Sequence, residues 1–289
     1  MKLIKSCSIV IAMLTTGGCG DVNAALEQLS EARRLSADLH VQFLAAAGAT
    51  DRAVMADTDE SSVAFARDAE QATKTAEQDI ETLGPILQGL SYSDETRLLQ
   101  TFVSHFATYR ELDRQILDLA VQNSNLKAQQ LSFVPAQEAA DAFRDSVSAV
   151  APANATTDGW HVKALAASAV AAVREIQVMQ APHIAAAEDA AMTKMEKRMA
   201  ASEAEARSAL RALAPMSTPA SRSSLTAAAA ALDQLMALNT QLVALSRQNT
   251  NVRSLGLSLD QKRKLTAPCE DSLKALENAL AKRGYPSGR

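Results

Sequence analysis

The chain has few of the residues on which β-rich folds depend. Only 3% of its 289 residues are aromatic, and it holds 10 glycines and 8 prolines. Hydrophobic residues nevertheless make up 47% of the sequence, and alanine is the commonest of them. This composition favours long helices, because it is rich in Ala, Leu, Glu, Gln, Lys and Arg but poor in aromatic residues, Gly and Pro. It excludes sandwiches, barrels and Rossmann-type sheets. The sequence therefore predicts an all-α protein.

Patterns for catalysis, metal binding and nucleic-acid binding are missing as well. The 29 basic residues are interspersed with 33 acidic ones, so no basic patch points to nucleic acid. The four histidines lack the Glu-x-x-His and His-Glu-x-x-His spacings of metal sites. Cys269, the one cysteine outside the N-terminal signal region, is interpreted as a small packing residue. Because no phosphate loop or Gly-x-Ser-x-Gly motif occurs either, we expect no enzyme activity, no cofactor and no metal.

Residues 1–20 have the pattern of an export signal. Two lysines precede an apolar stretch that is too short to span a bilayer, and Gly17-Gly18-Cys19 resembles a bacterial lipobox. The prediction is cleavage before Cys19 and acylation of its thiol, and the alternative is ordinary cleavage near Ala24. No later segment approaches a run of about 18 apolar residues. We therefore expect a protein of the soluble periplasm or of the periplasmic face of a membrane, with an N-terminal lipid as its membrane contact.

The rest of the chain contains an internal repeat. Residues 115–126 (QILDLAVQNSNL) and 241–252 (QLVALSRQNTNV) match at an offset of 126. A repeat of this length is a whole domain. The stretch 152–159 is rich in Pro, Gly, Asn and Thr, and it is the predicted linker between the two copies, 21–151 and 160–286.

Each copy is predicted to hold four helices. Capping boxes at Ser91 and Ser258, together with prolines near helix starts, mark the divisions. On the third helix of the first copy, apolar residues recur at spacings of three and four from Leu99 to Phe133, so we expect that helix to continue to Phe133. Short turns between long helices imply antiparallel neighbours. The prediction is two tandem up-down-up-down four-helix bundles.

The run 109–150 combines an aromatic residue, a Leu-rich run ending in Leu-Ala, a polar kink and an Ala-rich last helix. It resembles the second half of the periplasmic four-helix-bundle sensor domain of methyl-accepting chemotaxis receptors, and 184–283 resembles the same domain again. The resemblance implies a ligand-binding module, often dimeric, for amino acids, organic acids or other small solutes. A second transmembrane helix, a HAMP segment and a signalling coiled coil are not found up to Arg289. We expect the protein to act by binding outside the cytoplasm.

Asn123 and Asn249 occupy equivalent positions on the apolar stripe. A buried amide without a partner costs about 1–3 kcal/mol, so each is predicted either to fix helix register or to line a ligand pocket between helices. Asn125 and Asn251 lie about 200° away on the same helices. They are expected to face elsewhere and to end or solvate the helix.

Four basic residues complete the candidate ligand site. Lys127 and Arg253 are equivalent to each other, and in the resembled receptors basic side chains near the bundle tip hold ligand carboxylates. Arg33 and Arg34 are further candidates, because the first helix lines the dimeric pocket of that family. The alternative for all four is a solvated helix face. If there is a ligand, the pattern favours a small organic acid or an amino acid.

Two functions remain open at this point. One is an exported, lipid-anchored sensory or solute-binding module that presents its ligand state to a receptor or another envelope protein. The other is a structural protein of the envelope that docks a partner and has no small-molecule ligand. Ala-rich helix faces favour a homodimer in either case. A pocket lined by Arg or Lys would favour the first function, and packed bundles with an exposed apolar strip would favour the second.

Overall fold

The structure is helical throughout the part of the chain that it describes. It is a computed structural model, and it describes residues 19–150, 157–219 and 221–284. These residues contain no strand, which confirms the all-α prediction, and none of their helices combines the length and apolarity that crossing a bilayer demands. Residues 1–18 of the predicted export signal and 151–156 around the predicted linker lie outside the described part. The α-helices are α1 (Cys19–Val54), α2 (Asp59–Gly89), α3 (Ser93–Ala120), α4 (Ser124–Phe133), α5 (Pro135–Ser148), α6 (Thr157–Ala185), α7 (Asp189–Leu213), α8 (Arg222–Gln248), α9 (Thr250–Leu257) and α10 (Arg263–Lys282).

Local chemistry sets several helix ends. α2 begins after Thr58, whose hydroxyl oxygen accepts a hydrogen bond from the backbone N–H of Ser61 at 3.1 Å. α5 begins at Pro135, because proline suits the first helical position, where its missing N–H removes a donor that would have no partner. Gly284 follows α10 with a φ of 82°, a left-handed conformation that glycine adopts without a steric penalty.

The third helix of each copy is broken at an asparagine, so the expectation that it continues to Phe133 is wrong. α3 ends at Ala120 and α4 begins at Ser124, with Asn123 between them at φ 51° and ψ 38°. The second copy repeats the break at Asn249, where φ is 55° and ψ is 34°. Asparagine enters this left-handed region more readily than other residues with a side chain, so the same residue bends the chain in both copies.

The two copies differ at the next joint. Val134 separates α4 from α5, whereas a π-helical turn, Ser258–Lys262, joins α9 to α10. The capping box predicted at Ser258 therefore does not open a new helix. Its hydroxyl donates instead to a carboxylate oxygen of Asp51 at 2.8 Å. Single π-helical turns inside α-helices are frequently found at functional sites.

The chain divides into two compact units that do not follow the boundary between the sequence copies. Unit 1 comprises the described residues of Met1–Ala46, Gln71–Thr108 and Leu265–Arg289, and unit 2 comprises Ala47–Glu70 and Tyr109–Lys264. Consequently α10, the last helix of the second copy, shares unit 1 with parts of α1, α2 and α3. In the same way α5, the last helix of the first copy, packs against α6 and α8 in unit 2. Two tandem bundles, each formed by one copy, are not confirmed.

The core of unit 1 is the more aromatic of the two. Phe43 meets Phe102 and Phe106 edge to face, with ring centroids 6.0 and 6.1 Å apart, and the latter two rings stack at 5.2 Å. Cys269 is fully buried in α10, and desolvation raises the pKa of its thiol to about 12. The thiol is therefore neutral and takes part in packing, in agreement with its interpretation from the sequence.

The core of unit 2 is built largely from small side chains. Its larger members are Phe143, Leu210, Leu213, Leu232 and Leu235. Small residues allow helix backbones to approach closely, so α5 to α8 can pack with little bulk between them. The buried alanines of this core are Ala136, Ala139, Ala140, Ala166, Ala169, Ala172, Ala206, Ala209, Ala228 and Ala231.

Candidate functional site

The two asparagine turns meet inside unit 2. The backbone N–H of Ser124 donates to Thr250 Oγ1 at 3.1 Å, and the N–H of Thr250 donates to Ser124 Oγ at 3.0 Å. The N–H of Asn125 donates to Asn251 Oδ1, and the N–H of Asn251 donates to Asn125 Oδ1, both at 3.2 Å. Each of α4 and α9 therefore has its first amides capped by side chains of the other helix instead of its own.

The side-chain amides extend this reciprocal pattern. Asn125 Nδ2 donates to Asn249 Oδ1 at 2.9 Å, and Asn251 Nδ2 donates to Asn123 Oδ1 at the same distance. Asn249 Nδ2 reaches the backbone oxygen of Ala186 at 3.0 Å, while Asn123 Nδ2 has no partner among the described residues. Residues 123–125 and 249–251 are called the asparagine centre below.

The asparagine centre gives Asn123 and Asn249 a structural role. Both are buried, and both accept a hydrogen bond from the opposite turn. The expectation that Asn125 and Asn251 face elsewhere and end or solvate the helix is wrong, since both lie in the middle of the network and Asn125 is 7% exposed. The helix break changes the direction of every side chain that follows it, and a continuous helical wheel could not include that change. Ligand binding by Asn123 and Asn249 stays a prediction.

A buried carboxylate lies elsewhere in unit 2. Asp113 on α3 is 4% exposed and accepts hydrogen bonds from Thr50 Oγ1 at 3.0 Å and from the Tyr109 hydroxyl at 3.1 Å. Burial raises the pKa of Asp113, while the nearby ammonium of Lys262 acts in the opposite direction. A carboxyl group in this environment needs a cation or a proton to offset its charge.

Lys262, on the π-helical turn, supplies that cation. It is 3% exposed, and its Nζ donates to the backbone oxygen of Ala47 at 2.6 Å and to Asp51 Oδ1 at 2.8 Å. Asp113 Oδ1 lies 3.8 Å from the same nitrogen. The ammonium thus joins α1 to α3 and to the π-helical turn. This charged cluster consists of Thr50, Asp51, Tyr109, Asp113, Ser258 and Lys262.

A neutral cluster lies at positions that the internal repeat makes equivalent to the charged cluster. Ser132 Oγ donates to Gln180 Oε1 at 2.7 Å, and Gln180 Nε2 donates to Asn239 Oδ1 at 3.1 Å. Asn239 follows Asp113 by 126 residues, and Ser132 precedes Ser258 by the same interval. Uncharged amides therefore form the buried hydrogen bonds here that a carboxylate and an ammonium form in the charged cluster.

A further polar network surrounds His183, which is fully buried. Its Nδ1 lies 2.9 Å from Ser246 Oγ, and its Nε2 lies 2.9 Å from Glu196 Oε1. Arg247 makes two hydrogen bonds to Glu196, at 2.8 and 3.0 Å, and holds the pKa of that carboxyl below its usual value. The Ser246 hydroxyl is fully buried and donates to the backbone oxygen of His183 at 2.9 Å. This arrangement joins helices and offers no exposed nucleophile.

Arg33 and Arg34 on α1 bind partners in unit 1. Arg33 donates from Nε to the backbone oxygen of Leu280 at 3.1 Å and from Nη2 to that of Arg283. It therefore satisfies carbonyl groups at the end of α10. Arg34 is exposed and forms ion pairs with Glu31 at 2.6 Å and Asp38 at 2.5 Å.

Lys127 and Arg253 lie in the first turns of α4 and α9. Lys127 Nζ donates to the backbone oxygen of Gln122 at 2.8 Å and lies 3.4 Å from Asp59 Oδ2. The side chain of Arg253 is exposed and has no hydrogen-bond or ion-pair partner in the described part of the chain. Neither residue lines a described groove, and their role in binding a ligand stays a prediction.

A groove between α5 and α6 in unit 2, which was not predicted from the sequence, combines an apolar floor with basic residues. It has a volume of about 470 Å³, and its lining includes Val147, Val170, Arg144 and Lys163, with alanines between them. Arg144 pairs with two aspartates of α5, whereas Lys163 has no carboxylate partner among the described residues. Lys163 Nζ lies 5.4 Å from the ring centroid of Trp160. Basic residues flanking the alanine-rich stretch of α6 were the available sequence signal.

Within the described ranges, no three His, Cys, Asp or Glu side chains lie close enough together to hold a metal ion. Comparisons with protein-family models, with curated proteins and with solved structures returned no match for this chain.

Proposed function

We propose that the chain is an exported, lipid-anchored solute-binding protein of a sensory system, which acts by binding a small organic acid rather than by catalysis. The groove between α5 and α6 carries this proposal. Its volume of about 470 Å³ lies within the usual range for small-molecule sites. The resemblance to chemotaxis sensor domains, in two copies joined within one chain, agrees with this function.

The chemistry of the groove favours an acid with an apolar body. Val147, Val170 and the alanines would contact a short alkyl chain or a ring. The charge of Arg144 is already balanced by Asp141 and Asp145, so Lys163 is the cation that remains for a ligand carboxylate. A carboxylate–ammonium hydrogen bond is stronger than a neutral one, and it would orient the ligand.

Hexanoate and benzoate are the probes for this site, and the protein provides its own reporter. Trp160 is the one tryptophan of the chain and lies beside Lys163, so its fluorescence should change when a carboxylate binds. We expect Lys163→Met to weaken hexanoate binding about tenfold, as loss of a charge-assisted hydrogen bond predicts.

Lys194→Met, which removes an exposed lysine from α7, is the matched control and should bind hexanoate as the wild type does. Hexanol, which has the same chain without the charge, should bind more weakly than hexanoate. Unchanged Trp160 emission and no heat of binding with either acid would contradict the proposal.

The membrane anchor has its own test. A lipid on Cys19 predicts a mature protein whose mass includes acyl chains and which partitions with membranes, and Cys19→Ser should release it. A soluble wild-type protein that begins near residue 25 would support the alternative cleavage site.

A structural protein of the envelope is the second candidate function. It is favoured by exposed apolar side chains at the joints that follow α4 and α9, where Phe133 is 63% and Leu259 is 54% exposed. Loss of a co-purifying envelope partner on Phe133→Ser, with hexanoate binding absent in the wild type, would favour this function.

A further inference from the structure

A second groove lies in unit 1, at the turn between α2 and α3. Its volume is about 390 Å³. The side chains that line it include Gln88, Ser91, Ser93, Thr96 and Gln100, so most of its lining residues are neutral and polar, although their apolar atoms form the larger part of its surface. This composition differs from the apolar and basic lining of the groove between α5 and α6.

The aromatic residue of this groove, Tyr92, is held in place by a neighbouring cation. The guanidinium carbon of Arg283 lies 4.4 Å from the centroid of the Tyr92 ring. Arg283 is in turn bound by Glu95, with nitrogen–oxygen distances of 2.7 and 2.8 Å. Glu95 is 2% exposed, and the bond from Arg283 lowers the pKa of its carboxyl. An ion pair with a buried carboxylate therefore holds the ring before any ligand arrives, which reduces the entropy that binding must overcome.

The turn itself is strained. Ser91 has a φ of 57°, in the left-handed region, which costs a residue with a Cβ about 1–2 kcal/mol. Its N–H donates to the backbone oxygen of Gln88 at 2.9 Å. Glycine would relieve this strain, so the presence of serine is consistent with a use for its hydroxyl.

Several polar side chains of the groove are available to a ligand. Gln88, Ser91, Ser93 and Gln100 make no side-chain hydrogen bond to any other described residue. The one cation in the lining, Arg97, is paired with Asp94 at 3.0 Å. Amides and hydroxyls beside an immobilised aromatic ring, without an unbalanced charge, suit a ligand that carries many hydroxyl groups. We propose that this groove binds a neutral saccharide.

The second copy lacks these features. At the offset of 126 residues, Tyr92, Glu95 and Gln100 correspond to Thr218, Ser221 and Thr226. The repeat therefore does not need this set of residues in order to fold. Their presence in the first copy alone points to a separate role, independent of the organic-acid site.

Cellobiose is the probe, used with the full mature chain and a two-dimensional amide NMR spectrum. We expect cellobiose to shift the resonances of residues 88–100 and to leave those of α5 and α6 unchanged. Gln88→Ala and Gln100→Ala should each weaken binding about fivefold, as loss of one hydrogen bond predicts. Both residues are exposed, so the fold should not depend on them.

Gln78→Ala is the matched control, because Gln78 is another exposed glutamine of α2 and lies outside the groove lining. It should bind cellobiose as the wild type does. No shift at the highest soluble sugar concentration, shifts that map elsewhere, or equal binding by all three variants would overturn the proposal. Tighter binding of glucuronate than of cellobiose would also overturn it, because the site would then be an anion site.

Discussion

The charged cluster around Asp113 and the neutral cluster around Asn239 satisfy buried polar groups with different side chains. Both lie in unit 2 at positions that the internal repeat makes equivalent, and both bury polar side chains between helices. Lys262 of the second copy has Ala136 of the first copy as its counterpart at the offset of 126 residues, so the neutral cluster has no ammonium at that position. The comparison shows that the repeat requires buried hydrogen-bonding groups there but does not require charge.

The asparagine centre provides a reference for that comparison, because each copy contributes one turn to it. Its two turns read Asn-Ser-Asn and Asn-Thr-Asn, and their main-chain bonds are reciprocal at 3.0–3.2 Å. At the asparagine centre, the equivalent residues of the two copies are nearly the same. At the two clusters, each of which also contains residues of both copies, the equivalent residues differ.

The largest effect is expected from Lys262→Met in the charged cluster. The substitution keeps the alkyl chain but leaves Asp113 buried without the ammonium beside it. We expect the free energy of unfolding to fall by about 3–5 kcal/mol, as is typical when one partner of a buried ion pair is removed. Urea unfolding followed by circular dichroism measures the change.

Gln180→Met is the matched substitution in the neutral cluster. It removes hydrogen bonds but leaves no charge behind, so the expected loss is smaller, about 1–3 kcal/mol. Adding Asp113→Asn to Lys262→Met should recover part of the larger loss. Equal losses at the two clusters, or no recovery in the double variant, would mean that charge is not what distinguishes them.

At the asparagine centre the two copies should respond alike. Asn125→Ala and Asn251→Ala should each lower the free energy of unfolding by about 1–3 kcal/mol, because each leaves a buried backbone donor of the opposite turn without its acceptor. The double variant should lose less than the sum of the two, since residues in one network couple by about 0.5–3 kcal/mol. A strictly additive double variant, measured by the same unfolding assay, would argue against reciprocal capping.

The smallest effect expected is a pH dependence confined to the charged cluster. Because burial raises the pKa of Asp113, the folded state keeps this proton to a higher pH than the unfolded chain, in which the carboxyl has its ordinary pKa of about 3.9. The stability that Asp113 contributes is complete below that ordinary value and is lost as the pH rises through the raised, folded-state value.

The measurement compares unfolding midpoints of the wild type, Asp113→Asn and Asn239→Ala between about pH 3 and pH 7. Relative to the wild type, Asp113→Asn should gain stability as the pH rises, whereas the curve of Asn239→Ala should run parallel to that of the wild type. Parallel curves for all three proteins would show that Asp113 does not change its proton binding on folding.

Some features of the site could be predicted from the sequence and others could not. The equivalence of Asn123 and Asn249 follows from the repeat, and their position on an apolar stripe indicates burial. The pairing of Lys262 with Asp51 joins residues 211 positions apart, and nothing in their local patterns signals it. The groove at Lys163 depends on how α5 packs against α6, so basic residues on a helix could not indicate it without that contact.

Composition and periodicity were sufficient for the helical class, because propensity and a repeat of three and four residues act over short distances along the chain. They also revealed that the sequence contains two copies of one repeat. Which helices pack together is a different matter: α5 lies with α6 and α8, and α10 lies with parts of α1 to α3. Related copies carry interchangeable apolar faces, so helix periodicity fits either choice of partner, and the choice depends on long-range contacts such as Lys262 with Asp51 and Arg283 with Glu95.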